Sequence, residues 1–580
     1  MTRSRLSRSS SWTPLGSRDW PPISRSGSKA TRSRDPTRRP TVRRLALALL
    51  VGAAAIALAA GCSSPPQVVE ISPQRGAADV RSSEVVRVKF DRSMDRASVQ
   101  ARFHVAPTVP GTVRWLSDSE LTFEHDPFTP LTRYQAILDP GYQDAQGLTN
   151  GLRHSWTFKT EGPPALTTTS PGNGDRDVDP ASYITLTFNR DMDPTSLRRA
   201  LTLSPSAPFH VRQDATDHRR VILAPDSLLE PRATYSVAVN QEALDVDGNH
   251  VAGGSLVTFT TGDFRALRHW VSFIAEPWPG TQAGSDGVWI VNESRFPRRL
   301  VSVPVTAFTW SADGSRLLLR SPSGSWSDRP LAGTAKTLPI VGEWADFLAP
   351  GLGYTFLDRG SLQVLKPDGS VFAVSTGVKV AAVAPGGGRL AYVVADPSGS
   401  GSEIDGYDPN LRTRYRLQVE PAAIDGLAWS PDGLSLAYRV ATADPQRREI
   451  KVRSLKDGGV VTVATGQVSV PTWQADRRHV LFTAVVASPD GPREKAFRLG
   501  VGDTPPKQLT LAQGMPADRS TQVDALRPSA DGHQLAFVSR SGGPTAVWMM
   551  NADGSGLTPL TEYEAESFPY SCRAVAWTPV

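Results

Sequence analysis

Residues 428–440 read AWSPDGLSLAYRV, and variants of this stretch recur along the second half of the 580-residue chain. Two apolar segments flank a Ser-Pro-Asp-Gly turn, in which Gly433 suits the positive φ that a tight hairpin turn requires. The pattern therefore predicts a β-hairpin at each copy. The other copies are TWSADGSRLLLRS (309–321), AVAPGGGRLAYVV (382–394), TWQADRRHVLFTA (472–484) and LRPSADGHQLAFVS (526–539).

Further hairpins follow most of these copies, for example LQVLKPDGSVFAV (362–374) and VWMMNADGSGLTPLT (547–561). Units of about four strands that repeat every 40–50 residues are typical of a β-propeller. The run from Trp429 to Ala437, Trp-Ser-Pro-Asp-Gly-x-x-Leu-Ala, resembles the repeat of TolB-like propellers. This resemblance implies an all-β domain over residues 266–580.

The blade count and the closure of the ring follow from the same segments. The segment AVAWTPV (574–580) reads as an inner strand, whereas residues 269–303 read as three outer strands that lack an inner one. We expect these two segments to complete one blade together, which leaves no open edge. Inner-strand positions near 310, 346, 383, 428, 472, 526 and 576 then predict seven blades, with six as the alternative.

A second repeat, at an offset of 98 residues, precedes the propeller. ISPQRGAADV (71–80) and VRVKFDRSMDRASV (86–99) correspond to TSPGNGDRDV (169–178) and ITLTFNRDMDPTSL (184–197). The alternation of apolar and polar residues predicts strands with one buried face, and units of this size are typical of β-sandwiches. Together with the late WTFKT (156–160) and VTFTTG (257–262), these motifs resemble bacterial Ig-like domains of the SbsA type. The resemblance implies spacer or adhesion modules at residues 68–161 and 165–262.

Two acidic groups in these repeats invite a metal interpretation. The first is Asn173, Asp175, Asp177 and Asp179, which alternate as calcium ligands can but lack the glutamate of an EF-hand loop. We expect a turn that uses these side chains for local hydrogen bonds. The second is Asp91, Asp95, Asp191 and Asp193, which we expect to cap a short helical turn.

The N-terminal region resembles an export signal. Residues 45–60 read LALALLVGAAAIALAA and follow Arg43 and Arg44. The end of this apolar run, Leu58-Ala59-Ala60, continues into Gly61-Cys62 and resembles a lipoprotein lipobox with its leucine shifted by one place. We expect a signal peptide over residues 42–61, lipidation of Cys62, and a short tether at residues 62–67. An uncleaved anchor helix is the alternative.

Residues 1–41 are rich in Ser, Arg and Pro, and we expect them to be disordered. They are either untranslated, with a start near Val42, or a cytosolic extension. The first 44 residues carry twelve basic and two acidic side chains, so the net charge of +6 belongs to this end and the remainder sums to −4. We therefore expect no nucleic-acid partner.

Sequence motifs for catalysis are absent. There is no Gly-x-Ser-x-Gly elbow and no His-Glu-x-x-His, the nine histidines are scattered, and Cys572 reads as a buried, inert thiol. We predict no catalytic residue, no cofactor and no metal site. Candidates for a binding face, each also compatible with a blade core, are Trp278, Trp326, Tyr407 and Tyr563.

Taken together, the sequence predicts an all-β protein: two Ig-like β-sandwiches followed by a β-propeller. We expect a non-enzymatic, lipid-anchored binding or scaffold protein on the outer face of the cytoplasmic membrane or outside the cell. Its membrane contact is the N-terminal lipid, and its propeller binds a protein, peptide or glycan. The alternative is a propeller enzyme that acts on cell-wall glycan or peptide. A third possibility is a sensory partner of a membrane kinase, which the sequence does not distinguish from a binding or scaffold protein.

Overall fold

The computed structural model describes residues 64–278, 286–399, 401–487, 491–503, 505–509, 522–540, 544–561, 568 and 570–579. The predicted leader (1–41), the predicted signal peptide (42–61), the predicted lipidation site Cys62 and the candidate Tyr563 lie outside these residues.

The first repeat folds as a β-sandwich whose two sheets have the strand orders β1-β2-β5-β4 and β3-β6-β9. Side chains of Val86, Val88 and Phe90 enter its core, while Arg87 and Lys89 between them are exposed, as the alternation predicts. Its elements are β1 (Val68–Ser72), β2 (Val86–Phe90), α1 (Arg96–Gln100), β3 (Phe103–Ala106), β4 (Gly111–Ser117), β5 (Glu120–His125), β6 (Arg133–Leu138), β7 (Tyr142–Gln143), β8 (Thr149–Asn150) and β9 (His154–Lys159).

The second repeat has the same architecture, with sheets β10-β11-β14-β13 and β12-β15-β16. Ile184, Leu186 and Phe188 occupy its core. Its elements are β10 (Leu166–Ser170), β11 (Ile184–Phe188), α2 (Pro194–Ala200), β12 (Leu201–Ser204), β13 (Phe209–Gln213), β14 (Arg220–Pro225), β15 (Thr234–Val239) and β16 (Ser255–Thr260).

The late Thr-Phe-x-Thr motif has a structural explanation in the loop that joins the two sheets. In the second sandwich, the buried Thr261 hydroxyl donates to the Glu230 carbonyl at 2.6 Å and accepts the Ala233 amide at 2.9 Å. The Tyr235 hydroxyl accepts the Glu230 amide at 3.0 Å. Thr160 and Tyr134 make the same bonds in the first sandwich, so both copies satisfy the buried backbone of this loop in one way.

Seven four-stranded antiparallel sheets among the described residues form the propeller. The first six are continuous in sequence, and each runs from its innermost to its outermost strand. They are β20–β23 (Ala307–Trp310, Arg316–Arg320, Ser325–Pro330, Lys336–Val341), β24–β27 (Trp344–Phe347, Tyr354–Asp358, Ser361–Leu365, Val371–Ser375), β28–β31 (Val380–Val383, Leu390–Ala395, Ser402–Asp408, Thr413–Glu420), β32–β35 (Ile424–Trp429, Ser435–Ala441, Arg448–Ser454, Val460–Gly466), β36–β39 (Thr472–Trp473, His479–Val486, Arg493–Gly500, Lys507–Gln508) and β40–β43 (Gln522–Pro528, Gln534–Arg540, Ala546–Asn551, Thr558–Pro559).

The seventh blade closes the ring as the sequence predicts. Its outer strands are β17 (Val271–Pro277), β18 (Gly287–Val291) and β19 (Arg298–Val301), and its inner strand is β44 (Tyr570–Trp577) from the other end of the domain. Strand β44 pairs antiparallel with β17, with Val271 opposite Trp577. The preferred count of seven blades and the shared closing blade are both confirmed.

The recurring Ser-x-Asp-Gly turn is held by its own side chains. In the copy that decides the fold, the Ser430 hydroxyl donates to Asp432 at 2.6 Å and accepts the Ser435 amide at 2.8 Å. Gly433 takes a φ of 65°, where a Cβ would strain the backbone. The motif therefore stabilises the turn between the first and second strand of a blade by hydrogen bonds among its own residues.

Inner-strand tryptophans join successive blades. The indole N–H of Trp429 donates to the Ala382 carbonyl of the preceding inner strand at 3.2 Å, and Trp473 donates to Ala428 at 3.0 Å. Trp577 donates in the same way to Arg527 at 3.0 Å. These bonds explain why the repeat places Trp directly before the turn.

The second sandwich is docked on the propeller through a fully buried arginine. The Arg298 guanidinium donates to the backbone carbonyls of Ala181 (2.5 Å), Pro225 (3.0 Å) and Ser227 (2.7 Å) of the sandwich. Burial lowers the pKa of Arg298 to about 10, so it stays protonated at neutral pH. A charge that is buried against three carbonyls is a fixed connection and not a flexible linker.

Candidate functional site

The inner strands of the propeller line a central channel that contains a cavity of about 340 Å³. Its wall combines aromatic rings, small side chains and one guanidinium. The lining residues are Phe308, Thr309, Trp310, Arg527, Ala574, Val575, Ala576, Trp577 and Pro579. The cavity is concave, and its exposed wall is both polar and apolar and includes one guanidinium, so it can enclose a short segment of a ligand.

Asp346, on inner strand β24, lies beside this cavity. Its Oδ1 accepts the Phe347 amide at 2.8 Å and lies 3.4 Å from the hydroxyl of Thr309, which lines the cavity. Asp346 is only half-buried at the channel wall, but it is surrounded by protein, and this desolvation raises its pKa to about 7. It is therefore a carboxyl group that can exchange a proton near neutral pH.

A second free carboxylate is not found beside Asp346 among the inner-strand side chains that the structure describes. Asp425, on β32, is held by Arg439 at 2.7 Å and by Arg448 at 3.1 Å. Glycoside hydrolysis normally requires a pair of carboxyl groups. The described cavity wall thus contains one guanidinium, that of Arg527, and has one carboxyl group with a raised pKa, that of Asp346, beside it.

The cavity lies toward the rim of the propeller that carries the second sandwich. Trp310 and Trp577, which line it, are the last residues of their inner strands. In a four-stranded meander, the turns after the first and third strands share one rim. The sandwich contacts the third turn of the closing blade, where the Tyr183 hydroxyl donates to Asn292 at 3.1 Å and the Arg212 guanidinium lies 4.0 Å from the Phe296 ring.

Two of the aromatic candidates from the sequence belong to blade cores and not to a binding face. Trp326 is buried and donates its indole N–H to the Gly342 carbonyl at 3.2 Å, and Tyr407 is buried in the core shared by two blades. Trp278 is partly exposed. Periodic strands place aromatic residues on either face, so composition alone did not separate the two roles. Asp346 and Arg527 were not predicted as candidate site residues, because neither belongs to a recognisable motif.

Cys572 occupies the core of the closing blade. Its thiol is buried, and this burial raises its pKa to about 12. The thiol therefore stays protonated at neutral pH, in agreement with the expected inert packing role.

The acidic residues of the repeats divide into two groups. Asp95 and Asp193 are the N-caps of α1 and α2, as predicted: each carboxylate accepts the amides two and three residues further along. Asp91 instead accepts the Gln67 amide at 2.9 Å and so fixes the entry of β1, which corrects its predicted capping role. Asp191 does not cap α2 either but lines a cavity between the two sandwiches.

Two side chains of the alternating group at the start of the second sandwich, Asp175 and Asp179, make the expected local hydrogen bonds, whereas Asn173 and Asp177 contact residues more than eighty positions away. Asn173 accepts the Thr258 amide at 2.8 Å, Asp175 accepts the Gly172 amide at 2.7 Å, and Asp179 accepts the Ala181 amide at 2.8 Å. Asp177 pairs with Arg265 at 2.6 Å.

In the part of the chain that the structure describes, no helix is both long and apolar enough to span a membrane.

Comparison with known proteins agrees with this architecture. Residues 63–160 and 161–261 match the family described as Bacterial Ig-like domain. The Tol-Pal system proteins TolB of two strains of Anaeromyxobacter dehalogenans, 2CP-C and 2CP-1, are 26% and 29% identical to this chain over 253 residues, which cover 40% of this chain and 54% of each relative. The chain thus spans about half the length of these curated relatives.

Among solved structures, TolB from Acinetobacter baumannii matches with a TM-score of 0.34 and 13% identity, over 67% of this chain and 85% of that chain. The family match, the sequence relatives and the seven sheets together describe two bacterial Ig-like domains followed by a TolB-like β-propeller.

Proposed function

We propose that this protein is a lipid-anchored binding protein of the bacterial cell envelope. In this proposal Cys62 carries the lipid, the Ig-like domains act as rigid spacers, and the propeller binds a segment of a protein partner in its channel. The relatives named for the Tol-Pal system support a protein partner in the envelope. The lipid, the partner and the location are parts of the proposal.

The observation that carries this function is the docking of the second sandwich on the propeller through Arg298. Three carbonyl contacts to one fully buried guanidinium fix the orientation of the propeller relative to the sandwich. Fixed orientation is useful for a scaffold that must present one site to a partner.

The channel cavity is the proposed binding site because it is concave and carries one cation among aromatic walls. An extended segment with apolar side chains and an acidic group would complement Phe308, Trp310 and Arg527. Aromatic residues and arginine dominate the energetics of many protein interfaces.

The test is affinity capture of envelope proteins by the full-length protein in detergent, followed by mass spectrometry. Thr309→Arg fills the cavity and should reduce capture of a specific partner at least tenfold. Thr112→Arg, on the exposed side of β4, is the matched control and should leave capture unchanged. Equal capture by all three proteins would refute the channel as the site, and capture of glycan instead of protein would refute the partner class.

A second function, hydrolysis or elimination on cell-wall glycan or peptide, is favoured by Asp346 alone. A carboxyl group with a pKa of about 7 can act as a general acid or base. Purified wall fragments should then be degraded by the wild-type protein and not by Asp346→Asn, whereas Asp118→Asn, an exposed carboxylate of the first sandwich, should remain active. Degradation of this kind, without any specific partner, would reverse the ranking of the two functions.

A further inference from the structure

Glu161, in the connection between the two Ig-like domains, has a carboxylate oxygen that is buried without a partner. The residue is 4% exposed. Its Oε2 pairs with Arg190 of the second sandwich, but its Oε1 has neither solvent nor a hydrogen-bond partner. An unsatisfied carboxylate oxygen in the interior is costly unless a cation or a donor reaches it.

Two further carboxylates converge on the same place from a turn of the second sandwich. Asp245 is buried, and Asp247 lies two residues further along. One oxygen from each of Glu161, Asp245 and Asp247 lies within 4.8 Å of the other two. Calcium binds oxygen at about 2.4 Å, so two ligand oxygens on opposite sides of the ion are about 4.8 Å apart. The three carboxylate oxygens are therefore close enough together to bind one calcium ion.

The site also involves the first sandwich directly. Asp247 accepts the Ser83 hydroxyl at 2.5 Å and pairs with Arg81 at 3.2 Å. A cavity of about 190 Å³ opens beside the cluster and has room for a cation with water ligands. The carboxylates therefore lie at the junction of the domains and not inside one of them.

The charges at this junction leave a deficit of positive charge. The cavity wall contains four carboxylates, because Asp191 joins the other three, and the arginines 81, 190 and 219. Arg219 is already engaged by Asp217, at 2.8 Å. Arg81 and Arg190 then leave two carboxylate charges unmatched, which is the charge of one divalent cation.

We propose that Glu161, Asp245 and Asp247 bind a calcium ion, which fixes the junction between the two Ig-like domains. Carboxylate oxygens and water are the ligands that calcium prefers, and extracellular calcium modules bind with Kd values of about 10⁻⁴–10⁻³ M. This proposal departs from the prediction of no metal site, which was made from segments that are close in sequence. It does not depend on the proposed function of the propeller.

The first sandwich provides an internal control for this site. Asp144 corresponds to Asp245 in the repeat and likewise accepts two amides of its own turn, at 3.0 and 2.9 Å. The other two cluster positions differ between the repeats. Asp247 of the second sandwich corresponds to Gln146 of the first, and Glu161, which follows the first sandwich, corresponds to Gly262, which follows the second. The buried turn aspartate is therefore common to both copies, whereas the full cluster occurs at one junction.

The experiment is calcium titration of the full-length protein in detergent by isothermal titration calorimetry. We expect Glu161→Gln and Asp247→Asn to lose one bound ion or to raise its Kd at least tenfold, whereas Asp144→Asn keeps the wild-type stoichiometry. Asp247→Asn leaves the Glu161–Arg190 pair intact and so reports on the site if Glu161→Gln folds poorly. Amide exchange of peptides containing Glu161 should also be slower with calcium than with EDTA, in the wild type only.

Wild-type stoichiometry and affinity in both cluster variants would overturn the proposal, as would an absence of calcium binding by the wild type at 5 mM, roughly five times the weak end of the range for such modules. Loss of the ion in Asp144→Asn as well would also overturn it, since the effect would then follow from disturbing a turn and not from removing a ligand.

Discussion

Replacement of Arg298 by alanine should weaken the contact between the second Ig-like domain and the propeller. Three hydrogen bonds from a charged donor contribute about 1.5–3 kcal/mol each. Burial opposes them: the decrease of the Arg298 pKa from 12.5 to about 10 corresponds to roughly 3 kcal/mol. The difference is a net stabilisation of about 1.5–6 kcal/mol, and the middle of this range, about 4 kcal/mol, is typical of breaking a buried charged contact.

Amide hydrogen exchange measures this loss at the junction itself. The Arg299 amide donates to the Asp226 carbonyl at 2.6 Å across the interface. A junction weakened by about 4 kcal/mol opens roughly 1,000 times more often, since 1.4 kcal/mol is a factor of ten. We therefore expect exchange at Arg299 to accelerate by about three orders of magnitude in Arg298→Ala.

The control is Arg114→Ala in the first sandwich. Arg114 is 68% exposed and pairs with Glu124 at 3.1 Å, so its removal should cost no more than about 1 kcal/mol and leave exchange at Arg299 unchanged. Exchange in Arg298→Ala within tenfold of the wild-type rate would refute the reasoning, because the guanidinium would then contribute little to the junction.

Three further perturbations test the propeller. The pKa of Asp346 is raised from 3.8 to about 7, so between these pH values the folded state holds a proton that the unfolded state has lost. Relative to Asp346→Asn, the free energy of unfolding of the wild type should therefore fall by at most about 4 kcal/mol as the pH rises from 4 to 7. A difference between the two proteins that does not change with pH would contradict this. Trp429→Phe removes the bond to Ala382 and should cost about 1 kcal/mol in urea denaturation, while Trp429→Ala should cost several times more because it also leaves a cavity. The Cys572 thiol, with its pKa raised to about 12, should resist alkylation at pH 8 until the chain is denatured, which peptide mass spectrometry can follow; rapid labelling of the native protein would show that the closing blade is open.

The sequence was sufficient wherever the signal is local or repeated. The Ser430–Asp432–Gly433 turn contains its own hydrogen bonds, so each hairpin was recognisable from a few residues. The alternation at 86–90 and 184–188 identified the buried faces of both sandwiches. Asp95 and Asp193 satisfy amides within three residues and were predicted as caps for the same reason.

The sequence was insufficient where a residue's role depends on a distant segment. Trp326 and Tyr407 looked equally suitable for a surface or a core, and packing between blades placed both in cores. Asp346 carries no motif, and its raised pKa results from the protein that surrounds the channel. The cluster of Glu161, Asp245 and Asp247 joins residues more than eighty positions apart, so no spacing rule could reveal it.

The sequence by itself determined the two sandwiches, the hairpin repeat, the seven blades and the strand exchange that closes the ring. These features follow from strand periodicity and turn chemistry, which act over a few residues and repeat. Only the tertiary structure decided that Arg298 is fully buried while the adjacent Arg299 is partly exposed. Neighbouring residues of a strand point to opposite faces, and which face meets another domain depends on how the domains dock.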